Sequence, residues 1–115
     1  MNKTVVMLDD DESICQSVKQ LVEDKGLAFV YADNLLEGTL EISLNKPEIV
    51  IADFEFQFGR NIMTIINMLK EKVKKVIILT AKEPAKLIKM YPELAFAHII
   101  SKGTSLNKVA ELATA

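Results

Sequence analysis

The sequence predicts an α/β protein, and three observations carry that expectation. Five short, mostly apolar runs rich in β-branched residues recur along the chain, segments of helical period separate them, and turn-forming residues punctuate the junctions. Strands that alternate with helices in this way build βα units and a parallel sheet, with right-handed crossovers placing helices on both faces. The expected architecture is therefore a three-layer, doubly wound, five-stranded parallel sheet. Of the common doubly wound strand orders, 2-1-3-4-5 suits five strands.

The runs are TVVML at 4 to 8, LAFVYA at 27 to 32, EIVIA at 48 to 52, KVIIL at 75 to 79 and AHIIS at 97 to 101. None alternates cleanly between apolar and polar, as expected of strands covered on both faces. The first helix carries Ile14, Val18, Leu21 and Val22 on one stripe and stops at Gly26. The second follows Asn34, a suitable N-cap, with Leu35, Leu36, Leu40 and Leu44 as its apolar positions; Gly38 weakens it, and Pro47 bounds it. The third repeats Ile62, Ile65, Ile66 and Leu69 before the charged stretch Lys70 to Lys75. The fourth spans Pro84 to Tyr91, with proline in its first turn and Pro92 beyond its end, and the fifth runs from Thr104 to about Thr114.

Length and composition bound the rest. A chain of 115 residues, half of them apolar, suits one domain over 1–115. Fourteen basic against sixteen acidic residues, with no basic block, give no electrostatic footprint for direct nucleic-acid binding. The apolar run near the start is too short for a signal peptide, and no segment approaches a membrane span. A single cysteine, Cys15, agrees with a reducing compartment, so a cytoplasmic location is expected, with Cys15 as a small helical residue. The methionines read as core filler, and His98 as a structural histidine, because no second histidine exists to share a metal.

In doubly wound sheets ligands bind beyond the carboxyl ends of the strands, near the point where strand order reverses. Strand one is followed there by Asp9, Asp10 and Asp11, strand three by Asp53, strand four by Thr80, and strand five by Ser101 and Lys102. The order 2-1-3-4-5 makes strands one and three neighbours and brings Asp9 and Asp10 to Asp53. Like charges in contact repel, so such a cluster either raises a pKa or holds a hard cation, and oxygen ligands suit Mg²⁺. Asp11 is better placed in the first turn of the following helix, at the positive end of its dipole. A carboxylate is an established covalent nucleophile, and acid, metal, hydroxyl and lysine at one edge describe phosphoryl chemistry, with Asp53 as the acceptor. Each residue taken alone has an ordinary explanation, as helix cap, turn hydroxyl or solvated lysine; their joint occurrence at successive strand ends does not.

At these residues the sequence resembles the receiver domain of two-component response regulators, a flavodoxin-like fold. The acidic pair after strand one, IVIAD ending strand three, VIILTA ending strand four and IISK ending strand five carry the resemblance, which extends over essentially the whole chain. It implies a phosphorelay protein that accepts a phosphoryl group on Asp53 from a sensor histidine kinase or phosphotransfer protein. It implies Mg²⁺ held by Asp10, Asp53 and the backbone carbonyl of Glu55, with Asp9 acting partly through water. Lys102 would contact the phosphoryl oxygens, and Thr80, with the Ala81 amide, would move toward them and pass the signal to an effector domain or protein. Glu55 and Lys82 stand where the family tunes the lifetime of the phosphoryl group. The chain would be no enzyme beyond its own aspartyl phosphorylation and dephosphorylation.

Some positions depart from the family pattern. Gln57 replaces a proline, Gly59 comes early, Ile99 stands where an aromatic switch residue is usual, and Gly103 follows the lysine. These touch the signalling movement rather than the phosphorylation chemistry. They favour one alternative, a phosphorylation-independent interaction module on a receiver-like fold. Phe54, Phe56 and Phe58 alternate, and are expected either to cover the site and form a docking patch or to pack in the core. A flavin or nucleotide carrier is disfavoured, because no glycine-rich phosphate loop follows strand one and carboxylates there would repel a phosphate.

Overall fold

A computed structural model describes residues 3–55, 64 and 67–115. The first β-strand, β1 (Thr4–Leu8), leads into helix α1 (Glu12–Glu23), followed by β2 (Ala28–Ala32), α2 (Leu35–Asn45) and β3 (Ile49–Asp53). Residues 67–72 are helical and are termed α3. Then come β4 (Lys75–Thr80), α4 (Pro84–Met90), a 3₁₀ turn (Pro92–Phe96), β5 (His98–Ser101) and α5 (Leu106–Thr114). The five strands form one sheet in the order β2-β1-β3-β4-β5, all pairs parallel.

The apolar runs lack alternation because both faces of the sheet are covered. Val5, Met7, Ile49, Ile51, Ile77 and Leu79 pack against Cys15, Val18 and Val22 of α1 and Val109, Ala110 and Ala113 of α5. The intervening strand residues Val6, Leu8, Val50, Ala52, Val76 and Ile78 face the other way, toward Ile42, Leu69, Val73 and Leu87. Each fully buried aliphatic side chain contributes about 1.5–3 kcal/mol relative to exposure, so these two layers hold the sheet flat against its helices and fix where its strand ends lie. Among the described residues, no helix is long and apolar enough to cross a membrane.

Caps set the helix limits. Asp11, Asn34 and Ser105 each accept a backbone N–H from the first turn of α1, α2 and α5. Asp11 is thus the N-cap of α1 rather than part of its first turn, and α5 begins at Leu106 rather than Thr104. Gly26 closes α1 at φ +87, and Lys46 ends α2 in the left-handed region at φ 45, ahead of Pro47.

Helix α2 corrects the sequence expectation. Its inward residues are Leu35, Gly38 and Ile42, whereas Leu36, Leu40 and Leu44 point to solvent. Gly38 is the point of closest approach: a Cβ there would lie 2.5 Å from Leu8 Cδ2. The glycine lets α2 lie on β1, so the apolar side chains on the rest of the helix do not mark the buried face. His98 is exposed at the start of β5 rather than structural, and of the methionines Met7 is fully buried while Met90 is exposed. Ile62, Ile65, Ile66, Phe56, Gln57, Phe58 and Gly59 lie outside the described residues. Phe54 is buried, with its ring 5.8 Å from that of Tyr91, in the core rather than over the strand ends.

Candidate functional site

The register of the sheet assembles the strand-end residues. Leu8 pairs with Ala52 across β1 and β3, Asp53 with Leu79 across β3 and β4, and Thr80 with Ser101 across β4 and β5. The ends of these strands therefore step by one residue from β1 to β3 and from β3 to β4, and the residues at and just beyond them open onto the same edge. The backbone ties that edge together, with the Lys102 amide donating to the Thr80 carbonyl at 2.8 Å and the Phe54 amide to the Leu79 carbonyl at 2.8 Å.

Asp9, Asp10 and Asp53 each present a carboxylate oxygen within 4.8 Å of the others. Asp9 and Asp53 are buried, only 2% and 4% exposed, while Asp10 faces outward. Two carboxylates buried side by side demand compensation. Asp53 receives it: its Oδ1 accepts from the Lys102 ammonium at 2.9 Å and from the Glu55 amide at 3.0 Å. Asp9 is compensated less fully. Burial pushes its pKa up from the usual 3.8 to about 6, with Asp53 and Asp10 adding repulsion, and the Asp11 amide, which donates to its Oδ1 at 2.9 Å, and Lys102 offset this only in part. Asp11 turns away from the cluster to cap α1, accepting from the Ile14 amide at 3.2 Å.

These observations bear on a metal. Three hard oxygen donors, one of them on solvent, with excess negative charge and a carboxylate held above its ordinary pKa, fit a divalent cation such as Mg²⁺, which keeps several of its waters. The residues present suit that ion, and the three acids that would hold it are Asp9, Asp10 and Asp53.

On the other side of Asp53 stand Thr80, Ala81 and Lys102, all engaged by one side chain. Glu55 Oε2 accepts from the Thr80 hydroxyl at 3.0 Å, and Oε1 accepts from the Ala81 amide at 2.8 Å and the Lys102 ammonium at 3.1 Å. The Thr80 hydroxyl oxygen in turn accepts from the Lys82 amide at 3.0 Å. Burial would raise the pKa of Glu55, yet the Ala81 amide, Lys102 and Thr80 outweigh it and hold the carboxyl below its usual value. Burial would likewise lower that of Lys102, and its bonds to Asp53 and Glu55 hold it above. Sequence reasoning placed Glu55 here for its backbone carbonyl and, with Lys82, as a position where the family tunes the lifetime of the phosphoryl group. The reach of its side chain across 25 residues of chain to Thr80 was missed, and the one available signal was an extra acid two positions past Asp53.

Cys15, near the site on α1, is fully buried with its thiol pushed up to about 12, chiefly by burial and then by the surrounding acids, and is not a nucleophile.

The fold is one found in solved structures. Over 96% of this chain and 92% of its own length, a two-component response regulator from Clostridium difficile superposes with a TM-score of 0.82 at 17% identity. A response regulator from Thermotoga maritima matches at 0.78 and 22% identity over 97% of this chain and 94% of its own, and a response-regulator receiver domain protein from Clostridium thermocellum at 0.76 and 23% over 97% and 90%. The chain has the fold of a response-regulator receiver domain.

Among curated proteins, the chain is similar over 78 residues, at 27% identity, to the KDP operon transcriptional regulatory protein KdpE of Escherichia coli K12. That match covers 68% of this chain and 35% of the relative, so the chain spans about a third of the length of the curated protein it matches. No family model matches the chain. At these identities the comparisons speak to the receiver fold, and what the site does rests on its own residues.

Proposed function

We propose that the chain is the phosphoacceptor receiver, residues 1–115, of a cytoplasmic two-component phosphorelay, taking a phosphoryl group onto Asp53 from a sensor histidine kinase or phosphotransfer protein. The observation that carries this reading is the setting of Asp53: a buried carboxylate with a lysine ammonium at 2.9 Å on one side and two further acids within cation-sharing distance on the other. A structural acid has no use for both partners, whereas an oxygen nucleophile attacking a phosphate needs cationic charge on each side of it.

An Asp53 carboxylate oxygen attacks phosphorus, the P–N bond to the donor histidine breaks, and the leaving imidazole keeps the electron pair and takes up a proton. Hydrolysis of the resulting acyl phosphate returns Asp53 and inorganic phosphate. Asp9, Asp10 and Asp53 with the Glu55 carbonyl would hold Mg²⁺, which would supply positive charge to offset that of the reacting groups. Lys102, already hydrogen-bonded to Asp53, follows the charge as it passes to the phosphoryl group, and the Thr80 hydroxyl and Ala81 amide donate to the remaining oxygens. The chemistry starts and ends on the chain's own aspartate, as suits a signalling domain rather than an enzyme with turnover, and an effector domain or protein reads the result.

A second reading, a phosphorylation-independent interaction module, is favoured by one observation: the donors that would take the phosphoryl oxygens are bonded to Glu55. Intact-mass spectrometry after incubation with acetyl phosphate and Mg²⁺ separates the two. A single phosphoryl adduct, absent from Asp53→Asn and from a sample with chelator, is the expected result; no adduct on a folded protein would favour the module.

A further inference from the structure

Three donors surround one position beside Asp53: the Thr80 hydroxyl, the Ala81 amide and the Lys102 ammonium. They come from the ends of two strands that are neighbours in the sheet, and they share no role in the core. All three converge on the two carboxylate oxygens of Glu55, at 2.8 to 3.1 Å. Convergent hydroxyl, amide and ammonium donors make a seat for an oxyanion, and a carboxylate is an oxyanion. We infer that the Glu55 carboxylate is an internal ligand of the phosphoryl seat, which it occupies in the unphosphorylated protein and must vacate before the seat can take a phosphoryl group or any tetrahedral anion. This inference rests on the phosphoacceptor reading of Asp53.

Several features support occupancy rather than a chance surface contact. Glu55 uses both oxygens, Oε2 on Thr80 at the end of β4 and Oε1 on both Ala81 and Lys102, the residues that follow β4 and β5, and Thr80 is completely buried. The backbone of Glu55 is fixed by the hydrogen bond that its amide donates to Asp53 Oδ1, so the side chain leaves from a defined point. About a third of the side chain remains open to solvent, so it has somewhere to go when displaced. Lys102 is divided between Glu55 and Asp53 at 3.1 and 2.9 Å, so releasing Glu55 leaves the ammonium in place for the anion that replaces it.

An internal competitor lowers the apparent affinity for an external anion by the fraction of molecules in which the seat is open. Two substitutions separate occupancy from simple charge repulsion. Glu55→Asp keeps the negative charge but shortens the reach by one methylene, and Glu55→Gln keeps the reach and removes the charge. The probe is acetyl phosphate with saturating Mg²⁺, and the readout is the concentration giving half-maximal rate of Asp53 adduct formation by intact mass, with Asp53→Asn as blank. Glu55 lies on an exposed turn two residues past the end of β3, and the melting temperature of each variant reports that it folds.

Occupancy predicts that Glu55→Ala and Glu55→Asp both lower the half-maximal concentration, by roughly tenfold if the seat is filled nine times in ten, with Glu55→Gln in between because its amide oxygen still accepts from Ala81. Glu55→Asp equal to wild type while Glu55→Gln matches Glu55→Ala would overturn the inference in favour of charge alone. Equal behaviour of all four, each forming the adduct, would overturn it and leave the phosphoacceptor reading standing. No adduct in any of the four would overturn both.

Discussion

Asp9 offers the sharpest quantitative test of the site, because it is buried between like charges and its carboxyl is pushed up from 3.8 to about 6. An acid whose pKa is higher folded than unfolded binds its proton more tightly in the native state, so stability falls as pH rises from about 4 to about 6, and the penalty is fully present at pH 7. At 1.36 kcal/mol per pH unit, the upper bound is about 3 kcal/mol. Asp9→Asn removes the ionisation and keeps an oxygen for the Asp11 amide, losing about 1 kcal/mol of charge-assisted bonding. The variant should therefore be about 2 kcal/mol more stable than wild type at pH 7 in chelator. That corresponds to a rise in melting temperature of roughly 8 °C. Near pH 4 the advantage should shrink to within about half a kcal/mol, because Asp9 is then protonated in the native state and only about half a kcal/mol of the ionisation penalty remains. Added Mg²⁺ should also narrow the gap, since the cation stabilises the ionised wild-type cluster more than the variant. The assay is urea unfolding at both pH values, with and without Mg²⁺. A variant no more stable than wild type at pH 7, or equally stabilised at pH 4 and pH 7, would refute the argument that burial and repulsion strain this cluster.

Two further outcomes follow from the placement of neighbouring residues. Asp10 belongs to the acidic cluster and Asp11 to the helix cap, so Asp10→Ala should abolish the Mg²⁺-induced rise in melting temperature. Asp11→Ala should preserve that rise while costing about 1 kcal/mol of stability; an unchanged Mg²⁺ response in Asp10→Ala would mean that the acids share no ion. Gly38→Ala gains about 1 kcal/mol of helix propensity but drives a methyl into the fully buried Leu8, an overpacking cost of about 1–3 kcal/mol, so urea unfolding should show a net loss near 1 kcal/mol. A higher midpoint would mean that α2 is not pressed on β1.

The fold was legible because the strands are short, β-branched and buried on both sides, a combination that leaves few architectures open. Strand limits differ from the sequence expectation by one residue at most, with Asp53 and Thr80 themselves closing β3 and β4. The face of α2 was not legible, because the helix touches the sheet through a residue without a side chain, and an apolar count reads the opposite surface. The same limit applies at the site. Strand ends can be ranked from sequence and brought together by an assumed order, so Asp9, Asp10, Asp53, Thr80 and Lys102 were within reach. The Glu55 contact depends on side-chain length and on a turn after β3, neither of which has a periodic signature.

The three consecutive acids after β1 now divide by geometry rather than by charge. A parallel strand ending at the sheet edge and a helix starting four residues later force successive side chains in different directions. Asp9 is turned into the sheet edge, where it is buried against Asp53; Asp10 is left on solvent at the mouth of the cluster; Asp11 folds back over the first turn of α1. Only the first two add to the charge that Asp53 and Glu55 place at the same edge, and Lys102 is already shared between the latter pair. The ammonium therefore balances one side of Asp53 and leaves Asp9 only partly compensated on the other. A cation bound there would relieve the strain on Asp9 without competing for Lys102, and an anion arriving at Thr80 and Ala81 would meet a lysine already in position, with Glu55 as the group it must displace.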